Sequence, residues 1–127
     1  MFVAKTIDNA LCFSKYIDER IMSLSKMTFF ERFEADILSG KKTITIRDEL
    51  ENDYAANSIV QVFTYENDRW FCELKIIDVK AIKFDQLSDF HANQENMSLS
   101  ELKCVIQKIY PNVQNLYVIS YKFIQLL

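Results

Sequence analysis

The sequence predicts an α+β domain: a small curved sheet or partly open barrel with helices packed against it. The apolar pattern changes period along the chain, from one helical stretch to three strand-like runs, two helical segments and a last strand. The strand-like runs are long and rich in β-branched and aromatic residues, which suit a pleated, half-buried surface. The chain has 127 residues, half of them hydrophobic and 13% aromatic, with one glycine and one proline. That composition supports one domain with a real core and no linker.

The elements follow in order. Residues 1–27 read as an N-terminal extension, either a weak amphipathic docking helix (Phe2, Val3, Ile7, Leu11, Phe13, Ile17) or a non-essential stretch, and nothing in it looks catalytic. The domain proper is expected over 28–127. Thr28 with Glu31 fits a capping box, in which a hydroxyl and a carboxylate three residues apart satisfy free amides at a helix start. Phe30, Phe33 and Ile37 then form a helical stripe, and Gly40 is the expected C-terminal cap. A first strand is predicted over about 42–48, and the acidic, polar stretch 49–58 reads as a loop. Strands follow at 59–65 and about 70–82, with a turn at 66–69. Residues 85–96 suggest a short helix and loop. Ser98 and Glu101 make a second capping box, opening a helix whose apolar face is Leu99, Leu102, Val105, Ile106 and Ile109. Tyr110-Pro111 ends it, because the residue before proline disfavours the helical region. A final strand is expected over 116–123.

Composition excludes several function classes. Net charge is −3, which argues against a broad phosphate-binding surface, since sequence-independent nucleic-acid affinity comes from clustered Lys and Arg. A small nucleoside ligand remains compatible, and RNA stays open but not favoured. Cys12, Cys72 and Cys104 are far apart, with one histidine in the chain to join them, so no metal site is expected. Free thiols in a reducing cytosol are the simple reading. No apolar run approaches the roughly 18 residues of a membrane span, and no signal-peptide pattern opens the chain. A cytoplasmic protein is therefore expected; the sequence does not speak to its oligomeric state.

The stretch Gly40-Lys41-Lys42-Thr43-Ile44-Thr45-Ile46-Arg47-Asp48 is where chemistry is most concentrated. Alternation puts Thr43, Thr45 and Arg47 on one strand face and Ile44 and Ile46 on the other. The bland alternative is that the threonines serve β-propensity and the lysines are solvated. Arg47 could contact substrate, tune a neighbouring lysine, or pair with an acid. Gln94 and Asn96 could bind a base edge or cap a turn. His91 reads as structural. Tyr65, Trp70 and Phe71 could stack on a base, although core packing is the commoner use of such spacing.

Three blocks carry a resemblance: Thr28-Phe29-Phe30-Glu31-Arg32-Phe33, the run from Ile37-Leu38 through Gly40, Lys42 and Thr43 to Glu49, and His91-Ala92-x-Gln94-Glu95-Asn96-Met97-x-Leu99. Together they resemble the ASCH-domain N4-acetylcytidine amidohydrolases of the YqfB-like type. The resemblance implies a PUA-like β-barrel with flanking helices. It also implies hydrolysis of the acetyl amide on cytidine's exocyclic nitrogen, with no cofactor. The roles it implies are base for Lys42, nucleophile for Thr45 and acid for Glu95, with Arg47, Gln94 and Asn96 as candidate substrate contacts.

Elementary chemistry sets conditions on these roles. A threonine hydroxyl attacks poorly unless a base takes its proton. Free lysine titrates near ~10.4, so Lys42 needs burial or a nearby cation such as Arg47 to serve as that base. Lys42 and Thr45 are three apart, so Lys42 has to lie in the turn before the strand, or a bulge has to re-aim it. Glu95 has to carry a proton near neutrality. Backbone amides around Gly40, or the Lys42 ammonium, are candidates for holding an oxyanion.

Overall fold

The computed structural model describes residues 26–125. In order these are β1 (Lys26–Phe29), a 3-10 turn (Glu31–Phe33), α1 (Glu34–Ser39), β2 (Ile44–Arg47), a 3-10 turn (Glu49–Glu51), β3 (Ile59–Thr64) and β4 (Trp70–Lys83). A third 3-10 turn (Phe84–Gln86), α2 (Asp89–Gln94), α3 (Leu99–Ile109) and β5 (Asn115–Gln125) complete the fold. The α+β expectation holds. One mixed sheet runs β1-β3-β4-β5-β2, parallel between β1 and β3 and antiparallel elsewhere.

The long strands β4 and β5 form the spine, and their register shifts between Glu73 and Leu74 and again between Ile76 and Asp78. Extra residues on one strand increase twist and curl a sheet. The two edge strands, β1 and β2, are joined by a side chain: Arg47 on β2 donates from Nη2 to the Thr28 carbonyl on β1 at 2.8 Å. The core gathers residues from the strands and helices, with Phe29, Phe33, Ile37, Val60, Val62, Leu74, Leu102, Ile106 and Ile119 fully buried.

Two local expectations are corrected. Thr28 and Phe29 do not start a helix; they belong to β1, which also holds Lys26 and Met27. The cut expected between residues 27 and 28 therefore runs through a strand. Pairing with β3 and burial of Met27, Thr28 and Phe29 outweigh the local capping signal. The residue before the helical turn is Phe30, without a side-chain cap, and the free amide of Glu31 is met by Glu66 Oε1 at 2.8 Å instead. The expectation for residues 1–25 lies outside the described residues. The first strand is also shorter than expected, starting at Ile44.

Other local signals hold. Gly40 caps α1 with φ +82°, a left-handed conformation that glycine adopts without penalty. The Ser98–Glu101 capping box opens α3, with Ser98 Oγ accepting from the Glu101 amide and Glu101 Oε1 from the Ser98 amide. Tyr110 terminates it.

Candidate active site

The site is built where α1, β2 and the end of α2 meet. The turn after Gly40 is held by Asp36, whose carbonyl accepts from the amides of both Lys41 and Lys42. Lys42 therefore lies in the turn ahead of β2, which removes the alternation problem posed by its three-residue spacing from Thr45. The end of α2 is clamped against this turn by Gln94. Its Oε1 accepts from the Thr43 and Ile44 amides at 2.8 and 3.3 Å, and its Nε2 donates to the Lys41 carbonyl at 3.4 Å. One amide side chain thus completes the hydrogen bonding at the start of an edge strand and brings Glu95 over Lys42.

Lys42 Nζ donates to Glu95 Oε2 at 3.0 Å and to the Gln94 carbonyl at 3.2 Å. It also sits 4.8 Å from the centre of the Phe33 ring. Both partners are removed from water, with Lys42 2% and Glu95 1% exposed. Burial lowers the Lys42 pKa from its ordinary value, with Glu95 pulling it back up and the Arg47 cation pushing it further down. Desolvation disfavours the ammonium, which is the condition a lysine base requires.

Thr45 and Arg47 share the inward face of β2, and both are completely buried. Arg47 Nε donates to Thr45 Oγ1 at 3.0 Å, and Nη1 reaches Glu51 Oε2 at 3.1 Å. A guanidinium fixed at three points is a rigid donor, so the Thr45 oxygen has a defined position and one lone pair engaged. No hydrogen bond joins Lys42 to Thr45 among the described residues.

The remaining candidates are placed as follows. Gln94 uses its amide in the clamp. Asn96 has φ +59° and donates to Asp36 Oδ2 at 2.8 Å, so it turns the chain after α2 and ties it to α1. Substrate contact by either would require these bonds to open. His91 Nδ1 accepts from the Ser88 amide at 3.0 Å, in the capping box of α2. Phe71 is core, Trp70 Nε1 donates to Gln61 Oε1, and Tyr65 packs edge-on against Phe30. Cys72 and Cys104 are free thiols. Among the described residues no group of three or more His, Cys, Asp or Glu could hold a metal ion. No helix among them is long and apolar enough to cross a membrane.

A cleft of about 530 Å³ borders the site at Thr43, Ile44 and Tyr121, and is also lined by Phe90 and His91. Lys42, Thr45 and Glu95 are not among its lining residues. Ile44, Val118 and Ser120, which do line it, point to the face of β2 and β5 opposite Thr45.

The fold and this site define a class: a small mixed-sheet domain with a buried lysine–carboxylate pair, its lysine in the turn ahead of a strand whose threonine is held by an arginine. The chain belongs to the ASCH domain family, whose family model matches residues 20–109. That match begins within the segment expected to be an extension. An N(4)-acetylcytidine amidohydrolase from Vibrio atlanticus is 62% identical over 98 residues, 77% of this chain and 94% of that protein. One from Shewanella sp. (strain W3-18-1) is 58% identical over 100 residues, 79% of this chain and 97% of that protein. Among solved structures, the ASCH domain from Lactobacillus crispatus superposes with a TM-score of 0.62 at 15% identity, covering 78% of this chain and 79% of that one. A protein from Enterococcus faecalis V583 gives a TM-score of 0.66 at 13% identity, covering 92% and 88%. These structural likenesses concern the fold alone.

Proposed function

We propose that this protein hydrolyses the acetyl amide of N4-acetylcytidine to cytidine and acetate, with Lys42 as base, Thr45 as nucleophile and Glu95 as acid, and without a cofactor. The observation that carries the reading is the buried Lys42–Glu95 pair at 3.0 Å, with Lys42 in the turn just ahead of the strand that carries the buried Thr45. Relatives named for this activity at 58–62% identity support the choice of substrate.

The pair supplies both halves of the proton chemistry. As an ion pair it holds one proton, on Lys42. Moving that proton across to Glu95 Oε2 leaves a neutral amine and a carboxylic acid, a base and an acid side by side, with no change in net charge. Burial, which lowers the Lys42 pKa, favours the neutral amine.

In the first step the Thr45 Oγ attacks the acetyl carbonyl carbon, and Lys42 takes the hydroxyl proton. The Arg47 Nε–H on Oγ1 stabilises the developing alkoxide. The carbonyl π pair moves onto oxygen. Collapse of that adduct breaks the C–N bond, and Glu95 protonates the departing exocyclic nitrogen. Lys42 and Glu95 end the step again as ammonium and carboxylate. Water then loses a proton to the Glu95 carboxylate as its oxygen bonds to the acetyl carbon. The C–Oγ ester bond breaks, and the Lys42 ammonium returns a proton to Thr45 Oγ. Acetic acid departs and ionises to acetate, leaving Lys42 neutral and Glu95 protonated as at the start. Apo hydrogen bonds at catalytic sites commonly tighten only with substrate in place, and the Lys42–Thr45 contact is expected to form that way.

The test is incubation of the purified chain with free N4-acetylcytidine, with cytidine and acetate followed by chromatography. Equal amounts of both products support the reading. A folded protein that binds the nucleoside but releases no acetate would replace it with a binding module, for which salt-dependent RNA binding is the next assay.

A further inference from the structure

We propose that Tyr121 is a further catalytic residue, whose phenol donates the hydrogen bond that holds the acyl oxygen as it becomes an oxyanion. The inference rests on the amidohydrolase reading above and assigns the one part of the reaction that reading leaves without a donor.

Acyl transfer needs a hydrogen-bond donor aimed at the developing oxyanion. The backbone amides around the Gly40 turn are the obvious source, and they are taken. Gly40 donates to Ile37, Lys41 and Lys42 donate to Asp36, and Thr43 and Ile44 donate to Gln94 Oε1. Arg47 Nε is on Thr45, Nη1 on Glu51 and Nη2 on Thr28. Lys42 Nζ is directed to Glu95 Oε2 and the Gln94 carbonyl, and its lone pair is needed for the Thr45 proton.

One buried side-chain donor among the described residues is left without a partner, the Tyr121 hydroxyl. Buried polar atoms nearly always find a partner, and an orphan at a candidate active site calls for an explanation. Glu95 Oε1 is a second such atom, an acceptor. A donor and an acceptor, both buried and both unoccupied, match an amide that offers a carbonyl oxygen to one and its nitrogen to the other.

The register puts Tyr121 on the correct face. Thr45 pairs with Ile119 across β2 and β5, and Arg47 pairs with Tyr117. Alternation along β5 then places residues 117, 119 and 121 on the face that carries Thr45 and Arg47. Tyr121 is the diagonal neighbour of Thr45, at a separation of roughly 7–8 Å that an aromatic side chain spans. The ring is braced: its centroid lies 5.9 Å from that of Phe29, edge-on, and the Tyr121 amide donates to the Thr43 carbonyl. Tyr121 is 4% exposed, and burial, reinforced by the Glu95 charge, raises its pKa well above the ordinary value. The phenol therefore stays protonated across the working range and keeps its donor.

When Thr45 Oγ bonds to the carbonyl carbon, the displaced π pair sits on the acyl oxygen, and the Tyr121 O–H···O⁻ bond shortens without transferring its proton. The pair returns to reform C=O as the C–N bond breaks.

Tyr121→Phe tests this, assayed beside the wild type on free N4-acetylcytidine with thermal unfolding of both. Removing a hydroxyl that has no partner leaves Tm unchanged or raised, because an unsatisfied buried group is lost. The proposal expects kcat to fall about 10²–10³-fold, with KM within about twofold because the bond strengthens in the transition state. Unchanged kcat overturns it, as does a raised KM at wild-type kcat. A marked fall in Tm also overturns it, since the hydroxyl would then have a structural partner. Absence of turnover in the folded wild type is a different result, and it sinks the amidohydrolase reading itself.

Discussion

Replacing Arg47 by methionine tests how the sheet is closed. The guanidinium is fully buried and bonds Thr45 Oγ1, Glu51 Oε2 and the Thr28 carbonyl at 3.0, 3.1 and 2.8 Å. Methionine fills a similar volume and provides none of these donors. Each bond to a charged group contributes about 1.5–3 kcal/mol, but three bonds from one side chain are not additive. Breaking a buried ion pair by removing one partner costs about 3–5 kcal/mol, which sets the expected loss. A domain of this size holds about 5–15 kcal/mol in total, so the variant would be marginal. Urea unfolding followed by circular dichroism measures it, with Tm expected to fall by roughly 12–40 °C. Arg47→Lys keeps the charge but not the planar fork, and is expected to recover little. A loss below about 1 kcal/mol, or full recovery with lysine, would refute the idea that this guanidinium locks β2 to β1.

Further predictions concern titration and capping. Lys42 has a lowered pKa, so folding expels its proton between that lowered value and the ordinary 10.5. Its contribution to stability therefore rises with pH across that window and is lost as pH falls through the folded pKa. Lys42→Met is expected to flatten the stability–pH curve there, read by urea titration below pH 10, before the Tyr121 phenol contributes with opposite sign. Glu95→Gln removes the charge that raises Lys42, so the Lys42 titration followed by NMR moves down; an upward move would contradict the pairing. Ser98→Ala removes the acceptor for the Glu101 amide at the start of α3. It is expected to cost about 0.5–2 kcal/mol in chemical denaturation, and no change would mean the cap is idle.

Legibility in the sequence followed the range of the interactions. The α3 helix was plain because its cap, apolar face and proline stop all lie between Ser98 and Pro111. Strands β3, β4 and β5 were plain from β-branched and aromatic runs. By contrast, β1 is four residues long, carries no alternation of its own, and exists because β3 pairs with it and the core buries it. A local capping pattern at Thr28 therefore pointed to the wrong element.

The site divides in the same way. The position of Lys42 in a turn was foreseeable, since Gly40 favours that turn and the three-residue spacing demands it. Its contact with Glu95 joins residues 53 apart, and no periodicity encodes that. Only the resemblance brought the two together. The partners of Gln94 and Asn96, on the edge strand and on α1, are long-range and could not be read from the sequence, which left base-edge contact and turn capping both open. Tyr121 went unflagged because a tyrosine in a closing strand reads as β-propensity, and a hydroxyl without a partner is visible only in three dimensions.

The central claim is that Lys42, Thr45 and Glu95 together cleave an acetyl amide. The most direct measurement compares cytidine release from free N4-acetylcytidine by the wild type and by Lys42→Met, Thr45→Ala and Glu95→Gln, each first shown folded by circular dichroism. The account predicts turnover by the wild type and a loss of at least ~10²-fold in every variant, the scale on which positioned acid–base groups act. Wild-type rates in a folded Thr45→Ala or Lys42→Met protein would contradict it.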